Sequence, residues 1–111
     1  MRYYTIDELT RTDTTSLSKR LDAMELRSDI EGLYWLPCPH HLLSPVQQEH
    51  AAQCGAHVMA LEVLPDTVNL ELLVRARNKM RCECVHYASP ALAQHMIGYL
   101  DTLLDELGVH I

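Results

Sequence analysis

The chain reads as one α+β domain in which helices pack on one face of an antiparallel sheet. Three observations predict this class. The pairs Ser44-Pro45 and Ser89-Pro90 each write a helix start, an N-cap hydroxyl followed by Pro at the first helical position. Leu92, Met96, Leu100, Leu103 and Leu107 recur at spacings of three and four, the stripe of an amphipathic helix. Between 68 and 77, Val68, Leu70, Leu72, Val74 and Ala76 instead alternate with Asn69, Glu71, Arg75 and Arg77, as in a half-buried strand.

In chain order, Thr5-Ile6-Asp7-Glu8 has the form of a capping box and predicts a short first helix. A longer helix is expected from about Thr15 to Ile30, with Leu17, Leu21 and Met24 on one side and Gly32 beyond its end. Leu33-Tyr34-Trp35-Leu36 is a short apolar strand cut off by Pro37 and Pro39. The helix opened by Ser44-Pro45 has Gln47 placed to close a capping box. It should run to about Cys54 and stop at Gly55 in the left-handed conformation of a C-cap.

Ala56 to Val63 is rich in β-formers, and Leu64-Pro65-Asp66-Thr67 carries type I turn chemistry. After the alternating strand, Arg77-Asn78-Lys79 makes a turn and Met80 to Tyr87 returns, completing a three-stranded antiparallel meander. A three-residue turn pairs Ala76 with Met80, Val74 with Cys82, Leu72 with Cys84 and Leu70 with His86. A two-residue turn would set Val74 opposite Glu83 and carry a charge to the core face, so the longer turn is preferred. In the final helix Ile97 and Leu104 widen the apolar stripe, and Gly108 ends it.

Composition bounds the function. At 111 residues the chain is a single domain, 1–111, large enough to bury a core without disulfides or a metal. Phe is absent, so Leu, Val, Ile, Met, Ala and Cys must build that core. Asp7 and Glu8 stand where a signal peptide needs an apolar run, and no stretch approaches the ~18 apolar residues of a membrane span. A cytoplasmic setting with four reduced thiols is the expectation, without a membrane partner.

The net charge of −6 argues against non-specific nucleic-acid binding, which needs phosphate-neutralising cations. The charge is unevenly spread. Residues 28–74 carry six acids and no Lys or Arg, whereas 75–81 carry Arg75, Arg77, Lys79 and Arg81 with no acid. The expectation is an acidic body with one basic spot. Its planar guanidinium forks suit carboxylates and phosphates, so these four residues are the candidate contact for an acidic segment of another protein.

Soft-ligand residues form a second candidate. On a strand, Cys82, Cys84 and His86 would emerge from one face and could, with His57, hold zinc or another soft transition metal. Alternate strand residues lie nearly 7 Å apart, which is wide for two Zn–S bonds of ~2.3 Å, and buried Cys also packs as a small hydrophobe. His50-x3-Cys54-x2-His57 is a further set, with positions 50 and 54 on one helix face. Cys38-Pro39-His40-His41 places a thiol beside two imidazoles, the parts of a nucleophile and base, without a third orienting group.

No Gly-rich phosphate loop and no nucleophile elbow is written in the chain, so no catalytic residue is assigned. Two readings of function stand. The leading one is a small non-catalytic accessory protein that binds another protein and acts as a homodimer through its broad final helix, with Asp105 and Glu106 meeting cations on the second copy. The alternative is a metal-handling protein that uses Cys and His ligands.

Overall fold

The computed structural model describes residues 2–110. Strand β1, Tyr3–Ile6, is followed by helix α1, Arg11–Ala23, and strand β2, Leu33–Pro37. A single 3-10 turn at His40–Leu42 leads into two short helices, α2, Pro45–Glu49, and α3, Ala51–Cys54. Strands β3, His57–Val63, β4, Val68–Glu71, β5, Leu73–Ala76, and β6, His86–Tyr87, precede helix α4, Pro90–Glu106. Mixed helix and antiparallel sheet is the expected α+β class.

The sheet is organised around β3. Strand β2 lies along one edge of it, pairing Trp35 with Ala60 and Leu36 with Met59. On the other edge β4 and β5 act as one bent ribbon: Leu61 pairs with Leu70, and Val58 with Arg75. Two residues of β3 therefore face four of the ribbon, a bulge centred on Leu72. The Leu72 N–H donates outward to the Arg2 carbonyl, while its own carbonyl accepts from the Ala88 N–H. The ribbon's far edge takes β1 against β4 and β6 against β5.

The main core lies on one face of this sheet. Leu17 and Leu21 of α1 and Leu92, Met96, Leu100, Leu103 and Leu104 of α4 pack with Tyr34, Leu36, Met59, Leu61 and Leu70. The stripe of α4, Leu92, Met96, Leu100, Leu103 and Leu104, is thus buried in the chain's own core, with Ile97 and Leu107 partly buried at its margin. Both long helices end in the same hydrogen-bond pattern. In α4, Gly108 turns left-handed at φ 78 and Val109 N–H reaches back to the Leu104 carbonyl. In α1 the left-handed residue is Glu25, φ 60, and Leu26 N–H reaches the Leu21 carbonyl.

Several sequence expectations need correction. The capping box at Thr5 does not form, because Tyr3, Tyr4, Thr5 and Ile6 are β-formers that complete the edge of β4. The box forms instead between Thr10 and Asp13, so α1 starts earlier than expected and stops at Met24 rather than Ile30. The Ser44 box is present as expected, with Gln47 as its partner. Gly55, however, is extended at φ −65 rather than left-handed; it is needed because a Cβ there would lie 2.3 Å from the Ala51 carbonyl oxygen.

The largest correction concerns the returning strand. Residues 77–85 are a loop, and only His86 and Tyr87 pair with β5, Val74 facing His86 instead of Cys82. The backbone explains the slip of four residues. Arg77 N–H donates to the Ala56 carbonyl and Asn78 N–H to the Cys54 carbonyl, so the chain is drawn toward the end of α3 instead of turning back. Inside the loop Val85 N–H closes a turn on the Cys82 carbonyl. Such a turn cannot coexist with extended pairing.

Candidate metal centre

The loop and the short helices meet in a second, smaller core of Cys54, Ala76 and Cys84, flanked by Val46, Cys82 and Val85. Local sequence positions each part. The Ser44 hydroxyl accepts the Gln47 N–H and the Gln47 side chain accepts the Ser44 N–H, which orients α2. The buried Gln47 amide then donates to the Cys84 carbonyl at 3.0 Å, tying the loop to the helix. At His50 the helix bends, yet hydrogen bonds run through it: His50 N–H reaches Val46 and Cys54 N–H reaches His50. His50 and Cys54 therefore stay one turn apart on one face.

Four donor atoms converge there. His50, Cys54, Cys82 and Cys84 place one ligand atom each within 4.8 Å of one another. His50 Nδ1 is 3.1 Å from Cys82 Sγ and 3.8 Å from Cys54 Sγ, and the two sulfurs are 3.7 Å apart. A tetrahedral ion with Zn–S bonds of ~2.3 Å sets its sulfurs about 3.8 Å from each other. The cluster can hold a metal ion with small adjustments of its side chains. Cys54 and Cys84 are buried and Cys82 is half-buried, so the site is closed on its inner side.

The electrostatics suit a cation. The Cys84 backbone N–H, which points at Cys82 Sγ from 3.5 Å, is the first cause that lowers the Cys82 thiol below its ordinary range, helped by Cys84, His50 and Cys54. Burial, then the neighbouring Cys82 and Cys54, push the Cys84 thiol upward. One thiolate forms readily and the next resists, a situation that a dication reverses by neutralising the gathered charge. Beyond the ring, His50 Nε2 faces a Glu83 carboxylate oxygen at 3.8 Å, so Nδ1 is the nitrogen left for an ion.

The structure thus joins two residues from each set that the sequence offered. Cys82 and Cys84 come from the first, His50 and Cys54 from the second; the turn at 82–85 removes the 7 Å separation that a strand would impose. His86 lies outside the four. Its Nδ1 faces the Tyr87 carbonyl and its Nε2 the Ser44 hydroxyl, both at 3.1 Å, so it pins the start of α2 to β6. His57 is also outside, buried on β3 with Nε2 unpartnered; burial, then His50, His40 and His86, lower its basicity. Burial pushes the Cys38 thiol up to about 12, which keeps it protonated at neutral pH and unsuited to be a nucleophile.

The basic segment divides as well. Arg75 forks onto Glu71, with Nε 2.7 Å from Oε1 and Nη2 3.2 Å from Oε2, across the sheet face turned away from the helices. Glu71 is buried, so this pair is structural and Arg75 is committed to it. Arg77, Lys79 and Arg81 are exposed on the loop, and no hydrogen bond or ion pair joins their side chains to another described residue. Arg20 meets Glu106 at 3.1 Å, which answers the charge at the end of α4 within the chain. None of the described helices is long and apolar enough to cross a membrane.

No protein-family model, curated protein or solved structure matches the chain.

Proposed function

We propose that the chain is a non-catalytic accessory domain that binds one zinc-class ion through His50, Cys54, Cys82 and Cys84, and that the ion staples the 77–85 loop to the body. The observation that carries this reading is the convergence of three sulfurs and one imidazole nitrogen within 4.8 Å, drawn from a helix and a separate loop. Three Cys and one His form a complete tetrahedral set with no position left open for substrate, which is the pattern of a structural rather than a catalytic site. Soft sulfur donors favour zinc or copper(I) over the hard cations.

The test is elemental analysis of untagged protein purified without chelator. About one equivalent of zinc per chain is expected, falling to background in Cys54→Ser and Cys82→Ser. Cobalt(II) added to stripped protein should produce the ligand-field bands of a tetrahedral sulfur-rich site, and lose them in the same variants. Protein that carries no metal and takes up neither ion sinks the reading.

A further inference from the structure

Beside the ion centre, on the outer face of the sheet, lies a groove of about 340 Å³. Its floor is apolar: Trp35, Val58 and Ala76, with Val85 and Met80 contributed by the loop. Arg77 and Arg75 stand at one side and Asp29 at the other. The volume is at the small end of the ~300–1,000 Å³ range of ligand sites, room for one bulky side chain and its backbone rather than for a cofactor.

Two features of the wall call for an occupant. Met80 is 93% exposed, the most exposed large hydrophobic among the described residues, and it stands between cations instead of in the core. Arg77, Lys79 and Arg81 surround it in a molecule whose net charge is −6, so the loop is a local basic patch that attracts an acidic chain. Methionine is a flexible, polarizable side chain that adapts to an apolar guest.

We propose that this groove docks a peptide segment of another protein in which a bulky apolar residue is followed by two acidic ones. The apolar side chain sits over Trp35 and Val58 and under Met80. The carboxylates lie on the loop side, against Arg77, Lys79 and Arg81, because Asp29 would repel them at the opposite rim. Binding of this kind rests on the proposed ion centre to the extent that the ion holds the loop supplying Arg77, Met80 and Val85, whereas the ion centre needs only its four ligands.

Trp35 is the only Trp in the chain and lines the groove, so its emission reports occupancy directly. The probe is acetyl-Ser-Leu-Glu-Glu-Ser-amide, titrated at low salt against versions with Lys for both Glu or Ser for Leu. A saturable change is expected with the first peptide, about tenfold weaker with either control, and weakened further by salt as exposed charges are screened. The triple variant Arg77→Ser, Lys79→Ser, Arg81→Ser should lose about tenfold toward the acidic peptide and nothing toward the Lys control.

Met80→Ser should weaken the Leu peptide and leave the Ser peptide unchanged. Equal responses to the Glu and Lys peptides, or no saturation below about 5 mM, overturn the proposal. So does a homodimer that the triple variant dissolves, since that seats a second copy in the groove. Metal content measured on the same samples reports separately on the ion centre.

Discussion

Tyr4 reaches from β1 to α4, its hydroxyl donating to Asp101 Oδ1 at 2.7 Å, and this bond ties the edge strand to the final helix. Burial first, then the Asp101 carboxylate, raise the Tyr4 phenol to about 12. The folded value lies above the unfolded one near 10, so the stabilisation is fully present below about pH 10 and lost as pH rises toward 12. Tyr4→Phe should cost about 1.5 kcal/mol in urea unfolding at pH 7, as expected for a hydrogen bond to a charged group. Between pH 10 and 12 the variant should lose stability less steeply than the parent. Parallel slopes would show that the bond is not formed. At this scale the sequence was partly legible: the Ser44 and Ser89 caps could be read because cap chemistry is local. The partner of Tyr4 could not, because 97 positions separate it from Asp101.

Among the elements, the connection from α3 to β3 has the tightest geometry. A Cβ at Gly55 would fall 2.3 Å from the Ala51 carbonyl oxygen, and that contact is backbone, which cannot swing aside. Gly55→Ala should therefore destabilise the domain by about 2 kcal/mol, in the range of an overpacked site, and shift the end of α3 that carries Cys54. Zinc affinity should fall with it, read by competition with a chromogenic chelator. Unchanged stability and affinity would mean that the helix end yields. The elements themselves were legible where a period or a cap wrote them: β3, β4 and α4 appear close to the expected positions. The strand expected at 80–87 was not, since a run of alternating residues can also be a loop when distant carbonyls claim its N–H groups. The carbonyls of Cys54 and Ala56 do so here. That single change of register turned a strand face with ligands too far apart into a four-donor cluster.

For the whole molecule, the question is how much of the fold depends on the ion. The chain has two unequal cores: a large one on the helix-covered sheet face, and a small one built from Cys54, Ala76 and Cys84. The large core contains none of the four candidate ligands, and a 111-residue domain does not need a metal to bury enough surface. Removing the ion should therefore loosen one end of the molecule without unfolding it, unlike a zinc finger, whose small core forms only with metal. An ion present at 1,000 times its dissociation constant adds about 4 kcal/mol to the stability of the state that binds it. At about 4 °C or more per kcal/mol for a domain of this size, chelation should lower the melting temperature by about 15 °C. Helical circular dichroism at 25 °C should persist, while amide exchange accelerates at Asn78 and Val85 and stays slow at Leu61 and Leu70 in the central strands. If chelation abolishes the circular dichroism signal, the two cores form one cooperative unit. If it changes neither melting nor exchange, the loop is held by the Gln47, Cys54 and Ala56 hydrogen bonds alone, and the ion has no part in shaping it.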